Sequence, residues 1–245
     1  MKLSRFTGLP FYVMAFFLIS CGGSGNENKT GTDSTTVDST KSAVAPKINT
    51  IITAPQNMMI AKHKVLNYAK WKTSYDEHDS LRLVNGIHSY VIGRGLQDSN
   101  MILVAVKVDD MAKAKAFAKD PSLKKAMQKG GVIGTPLFAF VTITFQDTAA
   151  VSSDLRSRTT FTVNDWGAWQ KAFEEGKQER IDNGITVRAF GHDADDDKKV
   201  VLVTALLDTV KAYAYYKSDM LKKRRAASGV IGEPERFLYR VVQRY

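Results

Sequence analysis

Residues 63–136 recur at 161–234 without a gap, at a fixed offset of 98 positions. Val65 and Trp71 fall on Val163 and Trp169. Arg82, Asn85, Gly86 and Ile87 fall on Arg180, Asn183, Gly184 and Ile185. Gly131, Val132, Ile133, Gly134 and Pro136 fall on Gly229, Val230, Ile231, Gly232 and Pro234. About 30% of the compared positions are identical, far above chance at one offset. A chain that repeats a unit of about 90 residues must build its fold from two similar halves. That fixes the architecture and excludes most catalytic folds.

Each copy carries the same succession of patterns. Met58 to Val65 alternates as a strand. Asn67, and Asp165 in the second copy, stand where a helix N-cap belongs. Tyr68, Trp71, Tyr75, His78 and Arg82 then recur at three-and-four spacing, matched by Trp166, Trp169, Phe173, Gly176 and Arg180. They predict one amphipathic helix, ended by Gly86 and by Gly184. Ile87 to Arg94 and Met101 to Val108 read as strands joined by a polar turn. Asp110 caps a second helix that Pro121 interrupts and Gly130-Gly131 ends. Leu137 to Phe145 reads as the last strand. The order β-α-β-β-α-β is the ferredoxin-like split unit. It covers one sheet face with helices and leaves the other to be buried against a second sheet.

These patterns resemble the dimeric α/β-barrel superfamily, which includes antibiotic-biosynthesis-monooxygenase-like domains. The resemblance rests on Trp71 in the first helix, Asn85-Gly86-Ile87 after it, Asp110-x2-Lys113-Ala114-x-Ala116-Phe117 in the second helix, and Gly131-Val132-x-Gly134-x-Pro136 before the last strand. It spans about residues 56–245. It implies an α+β fold in which two tandem ferredoxin-like repeats, 56–148 and 153–245, form within one chain the barrel that relatives form by dimerising. Some members of the superfamily use haem, which requires an axial ligand such as histidine. Nothing in the sequence singles out His63, His78, His88 or His192 for that role.

The N-terminal region belongs to no such unit. Lys2 and Arg5 precede an apolar run to Ile19, too short to span a bilayer. Leu18-Ile19-Ser20-Cys21 resembles the lipobox of bacterial lipoproteins, which implies cleavage of residues 1–20 and lipidation of Cys21. Residues 21–55 then read as a polar tether. Cys21 is the only cysteine, so disulfides, a thiol nucleophile and cysteine-based metal sites are excluded from the folded part. The expected location is the envelope of a Gram-negative-type bacterium, anchored by lipid, with the outer membrane favoured. The net charge of +10 then suits anionic lipid or anionic ligands and not nucleic acid.

Strand parity places a site between the two sheets. Ile87, Ser89 and Val91, with Ile185, Val187 and Ala189, belong beneath the helices. His88, Tyr90, Ile92 and Arg94, with Thr186, Arg188, Phe190 and His192, face the space between the sheets. Candidate ligand-binding residues are therefore His88, Tyr90, Arg94, Arg188 and His192. His63 on the first strand and the retained pair Arg82 and Arg180 join them, the arginines also as anchors of a helix end to carbonyls. Trp71 and Trp169 are expected in the core. Asp193 to Asp197 lacks the glycine and distal glutamate of a calcium loop and reads as a hairpin tip. The glycine-rich elements follow helices, the reverse of a phosphate cradle. No catalytic triad, metal set or cofactor motif emerges. The expected activity is non-enzymatic binding of a small aromatic or anionic molecule, or of an envelope protein. The alternative is a monooxygenase-like or isomerase-like enzyme acting on an aromatic substrate in one half.

Overall fold

The computed structural model describes residues 49–245. The expected leader, Cys21 and most of the expected tether lie outside them. After a two-residue strand β1 (Ile51–Ile52), the first half runs β2 (Gln56–Val65), α1 (Tyr68–Glu77), α2 (Asp79–Val84), β3 (Ile87–Gly95), β4 (Met101–Val108), α3 (Met111–Phe117), α4 (Pro121–Lys129) and β5 (Val132–Asp147). The second half runs β6 (Leu155–Val163), α5 (Trp166–Glu175), α6 (Lys177–Asp182), β7 (Ile185–Asp193), β8 (Lys199–Leu206), α7 (Thr209–Lys217), α8 (Asp219–Ala227) and β9 (Val230–Arg244). The fold is α+β with one large antiparallel sheet. Among the described residues no helix is long and apolar enough to cross a membrane.

The helix starts are set by short polar side chains at matching places. Asn67 accepts from the Lys70 amide at 2.9 Å and Asp165 from Ala168 at 2.7 Å. Asp110 and Asp208 cap α3 and α7 in the same manner. Each such cap contributes about 0.5–2 kcal/mol. Gly86 and Gly184 take positive φ, 65° and 68°, where a side chain would be strained.

Two expectations need correction here. The first amphipathic helix is not continuous: it breaks at His78 and at Gly176, giving α1–α2 and α5–α6. At each break an arginine donates back to a carbonyl of the preceding helix. Arg82 Nη1 donates to the Tyr75 carbonyl at 2.6 Å with its guanidinium over the Tyr75 ring, and Arg180 does the same at Phe173. The last strand is also longer than the apolar run, because Val132 and Ile133 already pair with Val65 and Lys64.

Around the break the two halves differ in a correlated way. In the second half Glu179 accepts from Tyr215 Oη at 2.6 Å and from Arg224 Nη2 at 2.6 Å and Nε at 2.9 Å. The corresponding first-half positions are Leu81, Phe117 and Ala126, an apolar set. Gly176 belongs to this exchange. A Cβ there would lie 3.0 Å from Arg224 Cδ, while beside its counterpart His78 the place of Arg224 is taken by Ala126.

The strand order is β1-β5-β2-β4-β3-β9-β6-β8-β7, and β5 also pairs with β7. Each of the eight long strands thus has neighbours on both sides, which covers the edges that invite aggregation. The two seams between the halves are β3–β9 and β5–β7. At both seams a glycine admits close approach. A Cβ on Gly93 would strike the Tyr239 ring, and one on Gly191 would strike the Thr142 carbonyl.

Alternation along the strands separates the cores. Trp71, Ile87, Ile102, Val104 and Phe117 pack between sheet and helices in the first half. Trp169, Ile185, Leu206 and Tyr215 do so in the second. Trp71 and Trp169 are thus core residues. A third cluster, Met58, Val91, Leu103, Ala105, Val141, Ile143, Val201 and Tyr239, draws on both halves and lies on the opposite strand faces.

Candidate functional site

Those opposite faces do not close on one another. They bound a cavity of about 800 Å³, within the range of small-molecule sites. Met58 and Ile60 of β2, Leu103 and Ala105 of β4, Val141 and Ile143 of β5, and Val201 and Val203 of β8 give it apolar walls. Residues 147–154, which join the halves, and the C-terminal Gln243 to Tyr245 also line it.

Its polar lining is basic. Arg156 and Arg158 stand on one face of β6, and Arg188 comes from β7. Arg188 donates to Asp147 at 2.9 Å and to the Ala149 carbonyl at 2.5 Å, tying it to the joining segment. Arg156 donates to the Ser153 and Leu155 carbonyls at 2.7 and 3.0 Å. Burial, with the charges of Arg244 and Arg188 close by, holds the Arg156 pKa below the usual guanidinium value. Burial alone does so for Arg158, against small opposing effects of Tyr239 and Glu235. Burial also pushes the Tyr239 hydroxyl up to about 12. The Tyr90 hydroxyl accepts from the side-chain amide of the buried Gln146. Such a lining can bind an anionic group and enclose an apolar body.

The structure divides the predicted residues. Tyr90 and Arg188 line the cavity as expected. The parity reading fails beyond them, because β3 bulges between Ser89 and Val91 and β7 between Val187 and Ala189. One extra residue reverses the faces. Val91 and Ala189 therefore turn into the cavity, while Ile92 and Phe190 turn beneath the helices. Arg94 lies over the Tyr68 ring, 4.3 Å from its centroid, and His192 packs edge-on against Trp166 at 5.0 Å. His88 is exposed and pairs with Asp109 at 3.0 Å. Arg82 and Arg180 are occupied at the helix breaks. Arg156 and Arg158 were not anticipated. Their signal was a basic residue at every second position of a strand, opposite Met58 and Ile60 of the first copy.

His63 lies elsewhere, in a small pocket of about 80 Å³ between β2 and the helices of the first half, with Trp71, Tyr75, His78 and Arg82. It is 4% exposed, its ring centroid lies 5.5 Å from that of Trp71, and neither ring nitrogen has a partner among the described residues. Burial lowers its pKa to about 4, so the ring is neutral at pH 7. The matching pocket of the second half, also about 80 Å³, has Phe161 in its place. Haem does not fit beside His63, since ligands of that size need several hundred Å³. None of the four histidines lines the large cavity. Among the described residues no cluster of three metal-ligating side chains occurs. Asp195 and Asp196 at the β7–β8 turn pair with Lys115 and Lys199.

No family model matches the chain, and no curated protein matches it. Solved structures do. A candidate monooxygenase from Fusobacterium nucleatum subsp. nucleatum superposes with a TM-score of 0.52 at 11% identity, over 77% of this chain and 93% of its own. An anthrone oxidase-like protein gives 0.52 at 16% identity, over 79% and 94%. A candidate chlorite dismutase gives 0.52 at 12% identity, over 77% and 95%. The shared feature is the fold. At these identities it carries no activity to this chain.

Proposed function

We propose that this chain is a lipid-anchored envelope protein in which two copies of a ferredoxin-like unit close an α/β barrel, and that the barrel interior binds a small aromatic or anionic molecule. The observation that carries the binding reading is the cavity of about 800 Å³ on the inward strand faces, apolar along its walls and basic on one side. The repeat at offset 98 and the unbroken circuit of strand pairs support the tandem barrel. Cys21 and its preceding Leu18-Ile19-Ser20 support the anchor. The differences between the copies support a binding role over shared chemistry, since Arg156 and Arg158 replace Met58 and Ile60.

The full chain, purified in mild detergent, tests this. N-phenyl-1-naphthylamine, whose emission rises in apolar surroundings, should bind saturably at one molecule per chain. Absence of saturable binding by the folded protein would count against a small-molecule site.

A second reading has its own support. His63, beside Trp71 and Tyr75 and without a hydrogen-bond partner among the described residues, suits a monooxygenase-like reaction on a small phenolic substrate, in line with the candidate monooxygenases that share the fold. It predicts oxygen uptake with such a substrate that His63→Phe abolishes. The small volume there places it second.

A further inference from the structure

We infer that the cavity takes an amphipathic organic anion, its charged head at Arg158 and its apolar body directed toward Met58 and Ile60. This rests on the reading of the cavity as a small-molecule site.

The arginines of the cavity are not equivalent. Arg188 is held by Asp147 and the Ala149 carbonyl, and Arg156 by the Ser153 and Leu155 carbonyls. Arg158 has no such hold. Like Arg156 it enters none of the ion pairs among the described residues. Unlike Arg156 it has no carbonyl partner there, and its Nε is buried without an acceptor among the described residues. The acidic group that influences it, Glu235, is engaged by Lys62 at 3.2 Å. A guanidinium partly withdrawn from water without a counter-charge is unfavourable, and guanidinium geometry matches carboxylate, sulfonate or phosphate oxygens in pairs. An anion supplied from outside the chain would balance that charge.

The second observation is directional. Arg158 sits in register with Val203 and Phe237, and its equivalent in the first half is Ile60. The cavity is therefore basic toward β6 and apolar toward β2. A neutral molecule gains nothing from that asymmetry, and a small inorganic anion leaves the apolar walls uncovered. A molecule with one anionic head and an apolar body uses both.

The test compares 1-anilinonaphthalene-8-sulfonate with N-phenyl-1-naphthylamine, which lacks only the sulfonate, on the full chain. The sulfonate should bind at least tenfold tighter, at one per chain. Arg158→Met should remove at least tenfold of the sulfonate affinity while the neutral probe still binds at one per chain, which also shows that the variant is folded. Arg158→Lys should recover part of the loss. Equal binding of both probes by the native chain would overturn the anion assignment while leaving the cavity as a site. An unchanged sulfonate affinity in Arg158→Met, or full loss in Arg158→Lys with the neutral probe retained, would overturn the role of Arg158. Failure of both probes on the native chain would remove the cavity reading itself.

Discussion

His63 concentrates several physical demands in one side chain. It is enclosed by the first-half core and has no hydrogen-bond partner among the described residues, so only the neutral ring is tolerated. Its pKa falls from 6.5 to about 4. The unfolded chain therefore binds a proton more readily, and stability present above pH 6.5 is lost as pH falls toward 4. The full difference is about 3 kcal/mol. Urea unfolding at pH 7.5 and at pH 4.5 should show most of that loss in the native chain. His63→Phe, which installs the Phe161 of the other half, should remove that component and leave the loss due to carboxylates. An identical pH dependence in the variant would contradict the assignment. Gly191 is a second residue-scale test. A Cβ there meets the Thr142 carbonyl, part of a paired strand that cannot rotate away, whereas at Gly93 it meets a ring. Gly191→Ala should cost about 1–3 kcal/mol by overpacking, and more than Gly93→Ala in the same unfolding assay.

At the scale of elements, the two helix breaks use the same arginine and different surroundings. The second half bonds Glu179 to Tyr215 and Arg224, and these hydrogen bonds with Arg224 hold the Glu179 carboxyl below its usual range. Glu179→Leu alone strands a tyrosine hydroxyl and a guanidinium, and should destabilise by about 2–4 kcal/mol. The triple change Glu179→Leu, Tyr215→Phe, Arg224→Ala copies Leu81, Phe117 and Ala126, and should recover most of that loss. Strict additivity of the three single losses would contradict a coupled network. Elements are also where sequence reading reached its limit. Caps at Asn67, Asp110 and Asp165 were legible because side chain and backbone donor are three residues apart. The faces of β3 and β7 were legible only up to Tyr90 and Arg188. Bulges there reverse the parity, and they arise from pairing with β4 and β8, which local pattern does not encode. The helix breaks were hidden for a related reason, since Arg82 at three-and-four spacing looks the same whether it continues a helix or folds back on it.

For the whole molecule, the offset-98 repeat announced two similar halves, and the circuit of eight long strands is how they meet. What remained out of reach was the volume left inside. It depends on the side chains of all eight long strands at once and on the segment 147–154 that covers them. Most of the cavity wall was visible as mismatches between copies only after the strand faces were known. Met58 against Arg156 and Ile60 against Arg158 carry the asymmetry. The joining segment should matter for access, because Arg188 fastens it through Asp147. Asp147→Asn should speed ligand release in stopped-flow displacement without changing the stoichiometry, and an unchanged rate would contradict a fastening role.

The central claim is that the inward strand faces enclose the binding site. The most direct measurement fills that space. Ala105→Trp combined with Ala189→Trp places two indoles into the cavity from opposite halves, where both alanines line it. Titration of this variant with N-phenyl-1-naphthylamine should show binding weakened at least tenfold, with an unfolding temperature equal to or above that of the native chain. A folded variant that binds the probe with unchanged affinity and stoichiometry would contradict the claim.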